Sequence, residues 1–365
     1  MVHTLGFVLF IVSLCAWAAE LIEIPDGVHL RGLAEWEKIN AIEAVVNGKN
    51  QVVLPKAGSI DVTFSHEALC NGARYRVEPV RDLSDWVDLG RFCRKSDTED
   101  LTFAFISDTQ EFHEEHKKTA QVLNNLMESH PEIRFVVNGG DLVQTSTQTE
   151  WEQYRQIASS YYSSWIPVVP IVGNHDYRHD PHLSFFQKVY GHVTTSEHYY
   201  QLDYGNTVLI ILNSNLDELE EEEQVQQTKW LEKTLEQASG RKTILVAFHH
   251  APFTSGVGIV TMPSNPNYIR KHWEPLFKKH GTKLVLNGHE HVYERLIVDG
   301  VAHLVAGPAA GKMGHTLPWT APGSQFLLPK TRTITVLTAT KEHRLKILTY
   351  STGGAPKVVD EFEYN

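Results

Sequence analysis

Between residues 101 and 291 the chain repeats one arrangement, a short apolar run followed by a polar residue with a lone pair to offer. LTFAFIS runs into Asp108-Thr109-Gln110, RFVVNGG into Asp141, and IPVVPIVG into Asn174-His175-Asp176. KTILVAF then ends in His249-His250, and TKLVLNG in His289-Glu290-His291. One polar residue after a strand is ordinarily a cap or turn former, but five in succession constrain the fold more than any other feature. The runs are continuously apolar, the pattern of strands buried on both faces, and helical stretches such as EEHKKTAQVLNNLMESH and QVQQTKWLEKTLEQA separate them. This alternation predicts a layered α/β domain, in which functional groups gather beyond the carboxyl ends of the strands.

The donors brought together in this way would be Asp, Asn and His, with no thiolate among them. Such a set suits Zn, Mn or Fe better than a structural zinc site built on cysteine. There are too many candidates for one ion, and a carboxylate such as Asp141 can bridge two through its two oxygens. On extended chain the imidazoles of His289 and His291 diverge, so each can serve a different ion.

The rest of the chain has a different texture. Its first 19 residues carry an apolar stretch from Leu5 to about Trp17 and then Ala16-Trp17-Ala18, which reads as a cleaved signal peptide, or as an uncleaved anchor because no Lys or Arg precedes it. Residues 20–98 contain short alternating runs (AIEAVVNG, QVVLPKAG, IDVTFSH, ARYRVEPV, WVDLGRF) that predict a small all-β sandwich domain. Residues 99–365 form the α/β domain, which closes on strand patterns such as TRTITVLTAT, RLKILTYST and KVVDEFEY. Loss of the signal would leave Cys70 and Cys93, expected either as a disulfide or as two buried thiols. The formal net charge of −11 carries no nucleic-acid-binding signature, and no segment of the mature chain is long and apolar enough to span a membrane. Of the 20 histidines, His113, His116, His179, His182 and His192 sit in polar stretches and are expected at the surface. The sequence marks no dimer surface.

The ordered set SDTQ, GGDLVQ, GNHD, FHHAPF and NGHEHVYER resembles the metallophosphoesterase (calcineurin-like) superfamily, and GHEHVYER its purple acid phosphatase branch. The resemblance implies a four-layer α/β/β/α sandwich behind a fibronectin-III-like domain, two divalent or trivalent ions (Fe, Zn or Mn), and a small phosphate ester as substrate. It makes Asp141 the bridging ligand, gives Asp108 and His291 to one ion, and gives Asn174, His249 and His289 to the other. In FHHAPF the family's ligand stands first, hence His249 over His250, and His250 is left to touch the substrate phosphate or to support from behind. His175, with Asp176 behind it, matches the catalytic His-Asp pair.

The likeness departs from the pattern at two positions. Where the purple branch has its iron-binding tyrosine this chain has Gln144, and where the wider superfamily has a histidine it has Gln110. Gln110 either ligates through its amide carbonyl or hydrogen-bonds a metal-bound water, so no purple colour is expected. The implied chemistry is attack on phosphorus by a metal-activated water, as hydroxide, with His175 as general acid oriented by Asp176. Phosphomonoester hydrolysis is the expectation. Diester hydrolysis of nucleotide or phospholipid-type esters, and metal binding with little turnover, are the alternatives. The chain has neither a G-x-S-x-G elbow nor a P-loop lysine motif. A secreted or periplasmic location follows from the signal peptide.

Overall fold

The computed structural model describes residues 20–24, 27–33, 41–46, 49–53, 59–78, 87–88, 100–190, 198–240 and 242–365. Before residue 100 only the backbone is described, except at 64–65 and 67–75. The expected signal segment, Cys93 and His192 lie outside these residues. Cys70 is disulfide-bonded.

Each apolar run named above is a strand. β8 (Leu101–Ile106), β9 (Ile133–Asn138) and β10 (Val168–Pro170) lie side by side and parallel. β18 (Thr333–Ala339), β19 (Leu345–Ser351) and β20 (Lys357–Tyr364) extend this sheet antiparallel on the far side of β8. A second sheet has the order β11 (Tyr200–Tyr204), β12 (Thr207–Ile211), β13 (Thr243–Ala247), β14 (Leu284–Asn287), β16 (Val301–Val305), β15 (Tyr293–Val298) and β17 (Ser324–Leu328). Its central members β12, β13, β14 and β16 are parallel. Parallel neighbours require crossovers, and the helical stretches supply them.

Strand periodicity decides which face each residue covers. In the second sheet Leu209, Ile211, Leu245, Ala247, Leu284 and Leu286 join the main core shared with the first sheet. Their neighbours Val208, Ile210, Ile244, Val246 and Val285 turn outward against α5 (Glu221–Ala238), α7 (Ser264–His272) and α8 (Glu274–His280), meeting Leu231, Leu235, Ile269 and Phe277. On the other side α2 (His113–Ser129) and α3 (Gln148–Tyr161) cover the first sheet with Leu123, Met127, Trp151 and Ile157. The result is the expected α/β/β/α order of layers. His116 departs from expectation: it is buried on α2 and stacks on Tyr154 at 5.7 Å, because it falls on the apolar stripe of that helix despite its polar neighbours in sequence.

The N-terminal strands divide between sheets. β1 (Glu20–Ile24), β2 (Gly27–Leu33) and β5 (Ser59–Ser65) continue the first sheet beyond β10 and bring it to nine strands among the described residues, while β3 (Ala41–Val46), β4 (Lys49–Val53), β6 (Arg74–Glu78) and β7 (Val87–Asp88) pair in a separate sheet. Strand pairing therefore runs across the 98/99 boundary drawn from the sequence.

The tail of the YER motif ties the closing strands to the core. Tyr293 Oη donates to Asp360 Oδ2 at 2.8 Å, Arg295 grips both Asp360 oxygens at 2.7 and 3.0 Å, and the guanidinium lies 4.3 Å from the centre of the Phe362 ring.

A buried titratable pair makes stability depend on pH. Glu274 Oε2 on α8 lies 3.5 Å from His303 Nε2 on β16. Burial, with Asp299 adding to it, pushes Glu274 up from 4.5 to about 8, and burial pushes His303 down from 6.5 to about 3. The folded state keeps a proton on Glu274 that the unfolded chain has lost, so this contribution is complete below pH 4.5 and disappears as pH rises to about 8. For neutral His303 the sign is reversed, and its contribution is lost as pH falls from 6.5 toward 3. The two slopes cancel between pH 4.5 and 6.5. In denaturant titrations Glu274 should therefore contribute up to about 1.4 kcal/mol per pH unit to the decline in stability from pH 6.5 to 8, and Glu274→Gln should make the slope shallower by that amount. An unchanged slope in the variant would contradict the assignment.

Candidate metal centre

Because β8, β9 and β10 are parallel, and β12, β13 and β14 likewise, the loops after their carboxyl ends meet along one edge. Asp108, Asp141, His289 and His291 all adopt positive φ, at 58°, 54°, 69° and 55°. Non-glycine residues take this conformation rarely, and each marks a sharp turn that aims a side chain back over the strand ends. Close approach needs glycine nearby. A Cβ on Gly140 would lie 2.6 Å from His249 Nδ1, and one on Gly173 would lie 2.2 Å from both the backbone nitrogen and Oδ1 of Asp141.

The expected ligands converge into two groups. Asp141, His249 and His289 form one, and Asp108, Asp141 and His291 the other, with the donor atoms of each group within 4.8 Å of one another. Asp141 belongs to both. In the first group His249 Nε2 is 3.2 Å from Asp141 Oδ2, and Asn174 Oδ1 lies 3.2 Å from His249 Nε2 and 2.9 Å from His289 Nδ1. In the second, His291 Nε2 is 3.2 Å from Asp108 Oδ1.

The imidazoles are held as metal ligands are usually held. His249 Nδ1 donates to the Gly139 carbonyl at 2.9 Å, and His291 Nδ1 to the Lys312 carbonyl, which turns both Nε2 atoms into the cluster. Asp108 accepts the His289 amide on both oxygens, at 3.1 and 3.2 Å.

Gln110 reaches the same cluster. Its Nε2 lies 3.2 Å from Asp141 Oδ2 and 3.2 Å from His291 Nε2, while its buried Oε1 has no hydrogen-bond partner. A half-turn of the amide would exchange the two atoms and present the oxygen to the second group. An orphaned buried oxygen beside converging lone pairs, all of them oxygen or nitrogen, fits a bound cation.

Protons play the counterion here. Burial alone would lower His249 and His291, but Asp141 and Asp108 more than offset it and push each imidazole up to about 9. Burial, with the charge on His249, pushes His289 down to about 3. Burial works against ionisation of Asp108 and Asp141, yet the adjacent imidazoles hold both carboxyls below the usual range. The site thus gathers positive charge around two carboxylates, and a cation would displace those protons.

His175 stands at the edge of the cluster, 3.9 Å from Asp141 Oδ2 through Nε2. One expectation needs correction. Asp176 does not orient this ring, because its carboxylate is spent on backbone amides: Leu142 and Val143 at 3.0 and 3.3 Å on Oδ1, and Gly173 at 2.9 Å on Oδ2. The group at His175 Nδ1 is the Gln144 carbonyl, 2.9 Å away. Of the two alternatives for His250, the geometry agrees with support from behind: the ring is buried, with Nδ1 3.0 Å from Ser214 Oγ and Nε2 3.3 Å from Asn265 Nδ2. Its ring packs on His289 with centroids 4.4 Å apart. The carbonyls of Gly139, Lys312 and Gln144 were beyond sequence reasoning, since every residue type has one.

The Gly/Pro-rich segment after Gly307 lies along the rim. Gly314 donates to the His291 carbonyl at 3.0 Å, and Gly256 pairs with Thr316 in an antiparallel bridge, so this loop is joined to the one after His250. Glu294 fixes the joint, accepting from the Ser255 amide and hydroxyl, both at 2.6 Å, and from the Ser324 hydroxyl at 2.6 Å.

Comparison with known proteins agrees with this geometry. The family model described as calcineurin-like phosphoesterase matches residues 101–293. A serine/threonine-protein phosphatase, CPPED1 of Danio rerio, is 26% identical over 223 residues, covering 56% of this chain and 69% of the relative. Among solved structures, purple acid phosphatase PPD1 from yellow lupin (Lupinus luteus) seeds superposes with a TM-score of 0.73 at 14% identity, covering 94% of this chain and 73% of the other. PhoD superposes at 0.68 with 13% identity, covering 96% and 90%. These structural likenesses extend the agreement to the fold. With the family model spanning more than half of the chain and the metal-capable residues gathered at its strand ends, the protein belongs to the calcineurin-like phosphoesterases, hydrolases of phosphoric esters.

Proposed function

We propose that the protein hydrolyses phosphate monoesters at a centre of two metal ions bridged by Asp141. The observation that carries this reading is the sharing of Asp141 between two donor groups. Asn174, His249 and His289 would complete one position, and Asp108, His291 and the Gln110 oxygen the other. Bound there, divalent or trivalent ions supply Lewis acidity toward phosphoryl oxygens and lower the pKa of coordinated water.

The chain's own residues do the rest. Their donors are fixed by strand ends and backbone carbonyls, so little reorganisation accompanies reaction. His175 keeps its Nδ1 on the Gln144 carbonyl, which leaves Nε2 turned toward the cluster edge, where a leaving oxygen needs a proton. The monoester preference is supported by the zebrafish relative, whose name is that of a serine/threonine-protein phosphatase. In this reading residues 99–365 carry catalysis, and the fibronectin-III-like assignment of residues 20–98 rests on their alternating strand pattern.

The test is hydrolysis of para-nitrophenyl phosphate beside its bis-ester, by protein stripped of metal and refilled with Mn, Zn or Fe. Metal-restored turnover of the monoester should be abolished in Asp141→Ala. Turnover of a monoester with a poor leaving group should fall by about 10²–10⁴ in His175→Ala. Preference for the bis-ester would overturn the monoesterase reading, and no turnover with any metal would overturn the hydrolytic one.

A secreted or periplasmic location is part of the proposal, supported by the apolar N-terminal stretch and the disulfide at Cys70. Intact-mass measurement of the native protein should find a chain beginning after Ala18 or Ala19. A chain that retains its first 19 residues would count against cleavage.

A further inference from the structure

The loop that carries Asp141 is held at every amide from residue 142 to residue 147. Leu142 and Val143 donate to the Asp176 carboxylate. Gln144 and Thr145 donate to Glu150 Oε2 at 2.8 and 3.2 Å. Ser146 donates to the Arg178 carbonyl at 2.8 Å, and Thr147 to the Thr145 carbonyl at 2.7 Å. Glu150 sits in the first turn of α3, whose N-cap Thr147 accepts the Glu150 amide at 3.4 Å. In an ordinary capping box a glutamate at this position reaches back to the N-cap amide. Here it reaches further, to the two amides on either side of the Gln144 carbonyl carbon.

That peptide unit is the one that orients His175. The Gln144 carbonyl is the hydrogen-bond partner of His175 Nδ1, while the Gln144 side-chain Oε1 has no partner. The hydrogen bonds to Glu150 and His175 are thus made by the backbone of Gln144. We infer that Glu150 is a positioning residue for the proton donor: by holding the Gln144 and Thr145 amides it fixes the Gln144 carbonyl, and through it the tautomer and direction of the His175 ring. The inference rests on His175 acting as general acid. Glu150 touches neither substrate nor reacting atoms. Misplacing a donor by a fraction of an ångström costs most when proton transfer is most needed, that is, with a poor leaving group.

The test compares phenyl phosphate, a poor leaving group, with 2,4-dinitrophenyl phosphate, a good one, on zinc-loaded protein. It is paired with ¹⁵N NMR of the histidine rings, the His175 signals being assigned by their loss in His175→Ala. Glu150→Ala should lower kcat on phenyl phosphate by about 10–100-fold, and on the dinitrophenyl ester by less than about threefold, with KM little changed. Its His175 ring should change from Nδ1-protonated to a mixture of tautomers. Glu150→Gln keeps an oxygen acceptor and should restore both readouts. Equal loss on the two esters, or an Nδ1-protonated His175 ring in Glu150→Ala, would overturn the inference. His175→Ala separates it from the reading beneath it. If that variant lacks leaving-group discrimination, the general-acid role fails. If it discriminates while Glu150→Ala behaves as wild type, only the positioning role fails. Protein inactive on both esters leaves the tautomer readout to decide.

Discussion

The Asp141 carboxylate is the point around which the rim is arranged. It is buried, it belongs to both metal-capable groups, and one of its oxygens also accepts the His175 amide at 2.8 Å. A buried carboxylate is tolerable only if surrounding charge and donors repay its lost hydration. The answer here comes from several strands at once: His249 after β13, His289 beyond β14 and the amide of the loop after β10 all meet it. The parallel registers of both sheets are what permit that meeting. The same registers explain why the centre lies where the two sheets share an edge and not within one of them.

Around that carboxylate the protein spends other acidic side chains, buried at Asp176 and Glu294 and half-buried at Glu150, on backbone amides. Asp176 holds residues 142, 143 and 173, Glu150 holds 144 and 145, and Glu294 holds 255. Loops next to a charged cluster would be mobile if their amides were satisfied by water. Tying these amides to acidic side chains makes the turns rigid and sets acidic groups near a site that would receive cations. For Asp176 this has a visible electrostatic cost, since burial and the neighbouring Asp141 push its carboxyl up to about 8 against three amide donors.

Much of this was legible from the chain alone because period and order carry it. Continuous apolar runs announced the buried strands, and the polar residues that end them are the cluster residues found together: Asp108, Asp141, Asn174, His249, His289 and His291. The choice of His249 over His250 matches the placement, with His250 turned to Ser214 and Asn265. What failed to be legible concerns direction. The family resemblance made Asp176 the support of His175, but consecutive residues on a tight turn point apart, and Asp176 points under the turn at the amides. His116 looked like a surface residue because its neighbours are polar, whereas helical spacing places it on the buried stripe. Glu150 did leave a trace, the Thr147-x-x-Glu150 capping pattern, though nothing in that pattern tells which amides the glutamate will hold.

The central claim is that one carboxylate joins two cation positions. The direct measurement is an anomalous-difference map from crystals of the metal-loaded protein, with data collected at the absorption edge of Mn or Zn. The account predicts two peaks flanking Asp141, about 3.5–4 Å apart, one beside His249 and His289 and the other beside Asp108 and His291. A single peak at full occupancy, or two peaks of which neither touches Asp141, would contradict it.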